Sequence, residues 1–158
     1  MATDATEALL AASEPNPTAS AAPGTIDQNR AMRTEQQARR ALDHVRRICL
    51  AFPEVSERLS HGTPSFFIRG KKTLAMFADD HHADGILGLW CPAFPGVQAE
   101  MVDAEPERFY RPPYVGPSGW LGIRLDRDVD WDEVAAILAD SYRKVAPKTL
   151  ARQLDEQP

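Results

Sequence analysis

The sequence predicts an α+β domain: an antiparallel β-sheet with an N-terminal and a C-terminal helix packed on one face, a two-layer sandwich. Three observations carry this. An amphipathic helical pattern over residues 34–52 opens the domain, and a second over residues 130–145 closes it. Every strand-like run lies between them. One of those runs doubles back through a two-residue turn at Gly70-Lys71, which forces an antiparallel pair. Helices confined to the two ends of a run of strands bury their apolar stripes most economically as one layer against one sheet face.

Residues 1–30 are rich in Ala, Ser, Thr and Pro and poor in large apolar groups. Such a stretch cannot bury enough surface to offset its ordering entropy, so it reads as a disordered tail, with residues 31–158 as the domain. Thr34-Glu-Gln-Gln37 fits a capping box and sets the helix start at Thr34. Ala38, Ala41, Leu42, Val45, Ile48, Cys49 and Phe52 fall on one face, with Arg39, Arg40, Asp43, Arg46 and Arg47 mostly on the other. Pro53 stops the helix, and a short second helical turn fits Pro53–Leu59. His61-Gly62-Thr63-Pro64 breaks the pattern.

Ser65–Arg69 and Lys72–Phe77 then read as the hairpin strands, Asp79–Gly85 as a polar loop and Ile86–Cys91 as a well-buried strand. Val97–Val102 reads as a short helix with a frayed exit through Arg108. The stretch from Arg111 to Asp126 organises what remains. A proline-stiffened loop turns at Pro117-Ser118-Gly119 and enters an alternating strand. Trp120, Gly122 and Arg124 fall on one face of it, Leu121, Ile123 and Leu125 on the other. Asp130 caps the last helix, with Glu133 at its third position. Its stripe is Trp131, Val134, Ala135, Ile137, Leu138, Ser141, Tyr142 and Val145, and Pro147 ends it. The expected sheet has three or four strands.

The net charge of −5 is unevenly distributed. Residues 1–29 carry four acids and no Lys or Arg; residues 30–72 carry ten Lys and Arg against four Asp and Glu; residues 73–158 carry eight against fifteen. A basic section on an acidic chain is either a footprint for nucleic acid or a solvated helix face. Two cysteines, Cys49 and Cys91, are too few for a disulfide framework and read as small buried groups in a reducing compartment. No apolar run is long enough to span a membrane, and no basic segment leads into an apolar one as in a secretory signal, so a cytoplasmic protein is expected.

Several ordered motifs carry a resemblance. Phe52-Pro-Glu-Val-Ser-Glu57, His61-Gly-Thr-Pro-Ser-Phe66, Arg69-Gly-Lys71, Pro112-Pro-Tyr-Val-Gly-Pro-Ser-Gly-Trp120, Asp130-Trp-Asp-Glu133, Ser141-Tyr142 and Ala146-Pro-Lys148 together resemble the MmcQ/YjbR family over about residues 34–155. The resemblance implies a CyaY-like two-layer sandwich, a fold similar to bacterial frataxin, and a DNA-binding role in which hairpins act as wings. Frataxin-like proteins hold iron on an acidic first helix. Here that helix is basic, so the iron role does not carry over.

Candidate chemistry is sparse. Asp79, Asp80, His81, His82 and Asp84 are the densest metal-capable set, but their spacing matches no metal motif and a polar loop explains them. No cofactor or metal is expected. Ser118 lies in no strand–Ser–helix elbow, and Gly116–Gly119 lacks the Lys and helix of a phosphate loop, so the chain is not expected to be an enzyme. The nucleic-acid reading assigns phosphate contacts to Arg69, Lys71 and Lys72 around the hairpin turn, with Arg46 and Arg47 of the first helix as auxiliaries. His61, Tyr114, Trp120 and Arg124 shape the nearby surface or line a cleft. The competing reading is a module for a small molecule or a protein, in which the Pro112–Trp120 loop forms a cleft with Trp90 and Trp131. A third possibility is that the tryptophans simply fill the core. The nucleic-acid reading loses its footing if Arg46 and Lys71 lie on opposite sides of the domain, each neutralised by a nearby carboxylate.

Overall fold

A computed structural model describes residues 23–80 and 84–158. The chain divides into two units after Gln36, and the second, Gln37–Pro158, carries the sheet. Helix α1, Pro23–Leu50, begins earlier than its capping-box pattern suggests. Thr34 is not its N-cap. It sits within the helix, and its hydroxyl donates to the Arg30 carbonyl one turn back at 2.9 Å, the usual resort of a threonine in a helix interior. Pro23 opens the helix, where a missing N–H is harmless because the first amides have no intrahelical partner. The first turns of α1 therefore fall in the stretch read as tail; residues 1–22 of that stretch lie outside the described residues.

Six strands follow where three or four were expected. They are β1 (Val55–Ser60), β2 (Thr63–Ile68), β3 (Lys72–Asp79), β4 (Leu87–Cys91), β5 (Phe109–Tyr110) and β6 (Leu121–Arg124). All pair antiparallel, in the order β1-β2-β3-β4-β6-β5. The segment read as a second helical turn is β1. Its alternation is masked because Glu57 takes an inward position between Val55 and Leu59. The charge is tolerated there because Arg46 of α1 grips it with two hydrogen bonds of 2.8 Å.

His61-Gly62, expected to lie before the sheet, is the turn of the β1–β2 hairpin: Ser60 pairs with Thr63, and both central residues have positive φ (51° and 78°). The β2–β3 turn centres on Arg69-Gly70, one residue earlier than Gly70-Lys71. Lys71 N–H bonds Ile68 O at 3.0 Å, and φ is 53° at Arg69 and 67° at Gly70. Two positive φ values mark the I′ turn, whose twist matches that of the flanking strands. A register shift after Phe66 places Leu74 and Ala75 of β3 both in the core.

Helix α2 (Val97–Ala104) sits between β4 and β5, a 3₁₀ turn covers Gly116–Ser118, and α3 (Trp131–Val145) and α4 (Lys148–Asp155) complete the chain. The Asp130 carboxylate caps α3 as expected, accepting from the amides of Asp132 and Glu133. Ala38, Ala41, Val45 and Cys49 of α1 and Val134, Leu138 and Tyr142 of α3 share one buried cluster with Phe66, Ile68, Phe77, Leu89, Cys91, Leu121, Ile123 and Leu125. Both helices thus cover one sheet face, as the sequence predicts. Both cysteines are buried and unbridged. Tyr142 OH donates to Pro53 O at 2.7 Å and Ser141 Oγ to Pro92 O at 2.6 Å, pinning α3 to two loops at the end of the sheet that holds the β2–β3 turn. That end is called the turn end below.

Candidate nucleic-acid interface

The sheet face opposite the helices, uncovered by any helix among the described residues, and the turn end hold some of the side chains singled out from the sequence. On the uncovered face, β-pairing aligns Arg58, Ser65, Met76, Trp90, Gly122 and Tyr110 across the sheet. Arg58 lies with its guanidinium 3.7 Å from the Phe67 ring centre and donates to Gly70 O at 3.0 Å. It is a third cation at the β2–β3 turn, which a helical Pro53–Leu59 does not bring there.

Lys71 and Lys72 are exposed, and among the described residues neither has an acidic partner. The other predicted cations differ. Arg69 is held by Glu54, Nε to Oε2 at 2.7 Å, and its amide bonds Glu54 O at 2.9 Å. Arg46 is bidentate on Glu57 with Asp43 at 3.7 Å, and these carboxylates hold its charge above the ordinary arginine range. Arg47 is exposed and makes no ion pair among the described residues. The structure leaves Lys71 and Lys72 exposed and joins Arg58 to them, while Arg46 is neutralised. His61 is exposed, but at the opposite end of the β1–β2 hairpin from Lys71. Arg111, exposed just past β5, is a further cation toward the turn end.

Acids collect at the far end. Asp79, Asp80 and Asp84 follow β3, and Asp126, Asp128, Asp130 and Asp132 lie between β6 and the first turn of α3. Asp80 Oδ1 accepts from Gly85 N at 2.7 Å and Asp84 Oδ1 from Ile86 N at 2.9 Å, so these carboxylates fasten the loop backbone. His81 and His82 lie outside the described residues. Arg124 points to this end, bidentate on Asp126 at 3.0 and 2.7 Å, which draws the Asp126 carboxyl below its usual range. It shapes no surface at the turn.

The tryptophans do not converge. Trp90 is buried on the uncovered face, its Nε1 donating to Tyr110 OH at 2.9 Å. Trp131 is on the helix side, stacked on His44 of α1 with ring centres 4.3 Å apart. Trp120 is half-buried, and Gln98 of α2 donates to the carbonyls of both Gly116 and Trp120, fixing the loop that precedes β6. No cleft among the three is formed. Tyr114, with φ of 65°, stands 73% exposed on the same loop.

A sheet with α1 and α3 on one face defines the class: an α+β domain. A family model described as YjbR matches residues 50–144. The chain belongs to the YjbR family. It is also similar to a protein from Deinococcus radiodurans, DR2400, whose crystal structure carries the family-model domain DUF419. The TM-score is 0.57 at 21% identity, over 72% of this chain and 87% of that one, a likeness of fold. No curated protein matches the chain. Among the described residues, no helix is long and apolar enough to cross a membrane.

Proposed function

We propose that this protein binds the phosphate backbone of duplex DNA through the β2–β3 turn, with Lys71, Lys72 and Arg58 as the contacting cations, and that it is a binding module rather than an enzyme. The observation that carries the reading is charge placement on a rigid support. Lys71 and Lys72 project from an I′ turn closed by its own hydrogen bond, without acidic partners among the described residues. The carboxylates of Asp80, Asp84, Asp126 and Asp128 lie at the other end. An acidic protein with pI near 5.3 approaches a polyanion best in the orientation that presents this turn and withdraws those aspartates. Arg69 serves by fixing the turn through Glu54, and Arg46 serves by holding β1, so neither donates to phosphate.

Three phosphate contacts give weak, sequence-tolerant binding with a shallow salt slope. Affinity should fall roughly 40-fold between about 50 and 200 mM salt. Fluorescence anisotropy on a labelled duplex across that range tests this. The double substitution Lys71→Glu and Lys72→Glu should abolish binding at low salt, and Arg46→Gln should leave it unchanged. Absence of binding at low salt, or binding indifferent to the double substitution, would overturn the proposal.

A further inference from the structure

Among the described residues, the β1 edge of the sheet is unpaired, and it is self-complementary. The I′ turn at His61-Gly62 makes Ser60 and Thr63 a hydrogen-bonded pair, and alternation along an antiparallel ladder then makes Arg58/Ser65, Ser56/Phe67 and Glu54/Arg69 hydrogen-bonded as well. The bond from Arg69 N to Glu54 O confirms that phase. The N–H and C=O groups of Val55, Glu57 and Leu59 therefore point away from the sheet. Leu59 is the large apolar side chain of this strand that solvent reaches, at 73% exposure.

Edge strands ordinarily deter pairing with charged side chains. The two charges on this edge are already engaged within the domain. Glu57 is bound by Arg46, and Arg58 lies folded onto Phe67 and Gly70. The edge thus keeps its free backbone groups while its guards are turned inward.

We infer that β1 pairs with β1 of a second copy of this chain, antiparallel, about a two-fold axis at Glu57. The occupant follows from register. Opposed residues share a face, so the axis must pass through a residue position. Centred on Arg58, the pairing would set two guanidinium groups against each other. Centred on Glu57, it uses all three outward-facing residues: Glu57 against its mate, and Val55 against Leu59 twice. The exposed Leu59 then meets an apolar side chain of the other copy. Ser56 lies opposite Arg58 of the mate, and each Glu57 keeps its own Arg46 as neutralising partner. The two six-stranded sheets become one continuous sheet.

Sedimentation velocity on the full chain tests this, because an edge-only interface is small and its association is transient. The mass should rise from 17.5 kDa toward twice that as concentration rises from about 10 to about 500 µM. Leu59→Pro removes one outward N–H and no internal ladder bond, so the variant should stay folded by circular dichroism and remain monomeric. Amide exchange at Val55, Glu57 and Leu59 in the unaltered chain should slow at high concentration, while exchange at β5 should not change. A mass fixed at 17.5 kDa throughout, a dimer that persists in folded Leu59→Pro, or concentration-independent exchange at the three amides would each overturn the inference.

Discussion

Replacing Gly122 with alanine should destabilise the domain through one identifiable ring. The Tyr110 phenol reaches from edge strand β5 across β6 to β4, lying over two glycines. A methyl group at Gly122 would stand 2.7 Å from Cζ and 2.8 Å from Cε1 and Cε2 of that ring, and one at Gly88 would stand 2.0 Å from its hydroxyl oxygen. Ordinary carbon contacts begin near 3.5 Å, so the ring would have to lift by about 0.7 Å. The lift pulls its hydroxyl from Trp90 Nε1, now 2.9 Å away. Overpacking of this kind costs about 1–3 kcal/mol, against a gain of about 0.5 kcal/mol from the less flexible unfolded chain. A net loss of about 2 kcal/mol lowers the melting temperature of a unit the size of Gln37–Pro158 by about 8 °C. Chemical denaturation of four variants closes the cycle: wild type, Gly122→Ala, Tyr110→Ala and the double. In the Tyr110→Ala background the added methyl should cost nothing. A Gly122→Ala variant as stable as wild type, or an equal cost in both backgrounds, would refute the reasoning.

The same ring carries a pH signature. Burial pushes the Tyr110 hydroxyl up to about 12 from its ordinary 10, with the Trp90 N–H opposing. The unfolded chain then releases this proton first, so stability is full below pH 10 and falls as pH climbs from 10 toward 12. Tyr110→Phe should flatten that part of the alkaline arm of a stability–pH curve relative to wild type. At the acidic end of the domain, Asp130→Ala removes an acceptor shared by the amides of Asp132 and Glu133, and should cost about 1 kcal/mol in urea denaturation without altering DNA affinity.

Legibility followed the length and purity of the local pattern. The Asp130 cap, the Leu121/Ile123/Leu125 face and the α3 stripe were readable because period and cap signal agree over many residues. β5 was not, since two residues carry no period. β1 was misread because the inward charge of Glu57 hides the alternation, and only the three-dimensional partner Arg46 makes that position tolerable. The start of α1 was misplaced because Thr34 satisfies a capping motif equally well as an interior residue bonded to Arg30 O. At the candidate interface, Lys71 and Lys72 were legible as flanking a hairpin turn, one residue off its true centre. Sequence could not tell Arg69, tied to Glu54, from its neighbours, because the partner is fifteen residues away and meets it only once β1 forms.

These misreadings have one physical origin, and it bears on function. The basic section of residues 30–72 looks like a single cationic stretch only while the chain is treated as a line. Folding sorts its cations by the carboxylates that β1 brings alongside: Glu57 takes Arg46 and Glu54 takes Arg69. Left without an ion pair among the described residues are Lys71, Lys72 and Arg58 at the turn, with Arg39, Arg40 and Arg47 exposed on α1. On the proposed function, the turn cations would orient an acidic molecule toward a duplex without gripping it tightly. Such a contact is set less by how many basic residues the sequence holds than by which of them the edge strand leaves unpaired.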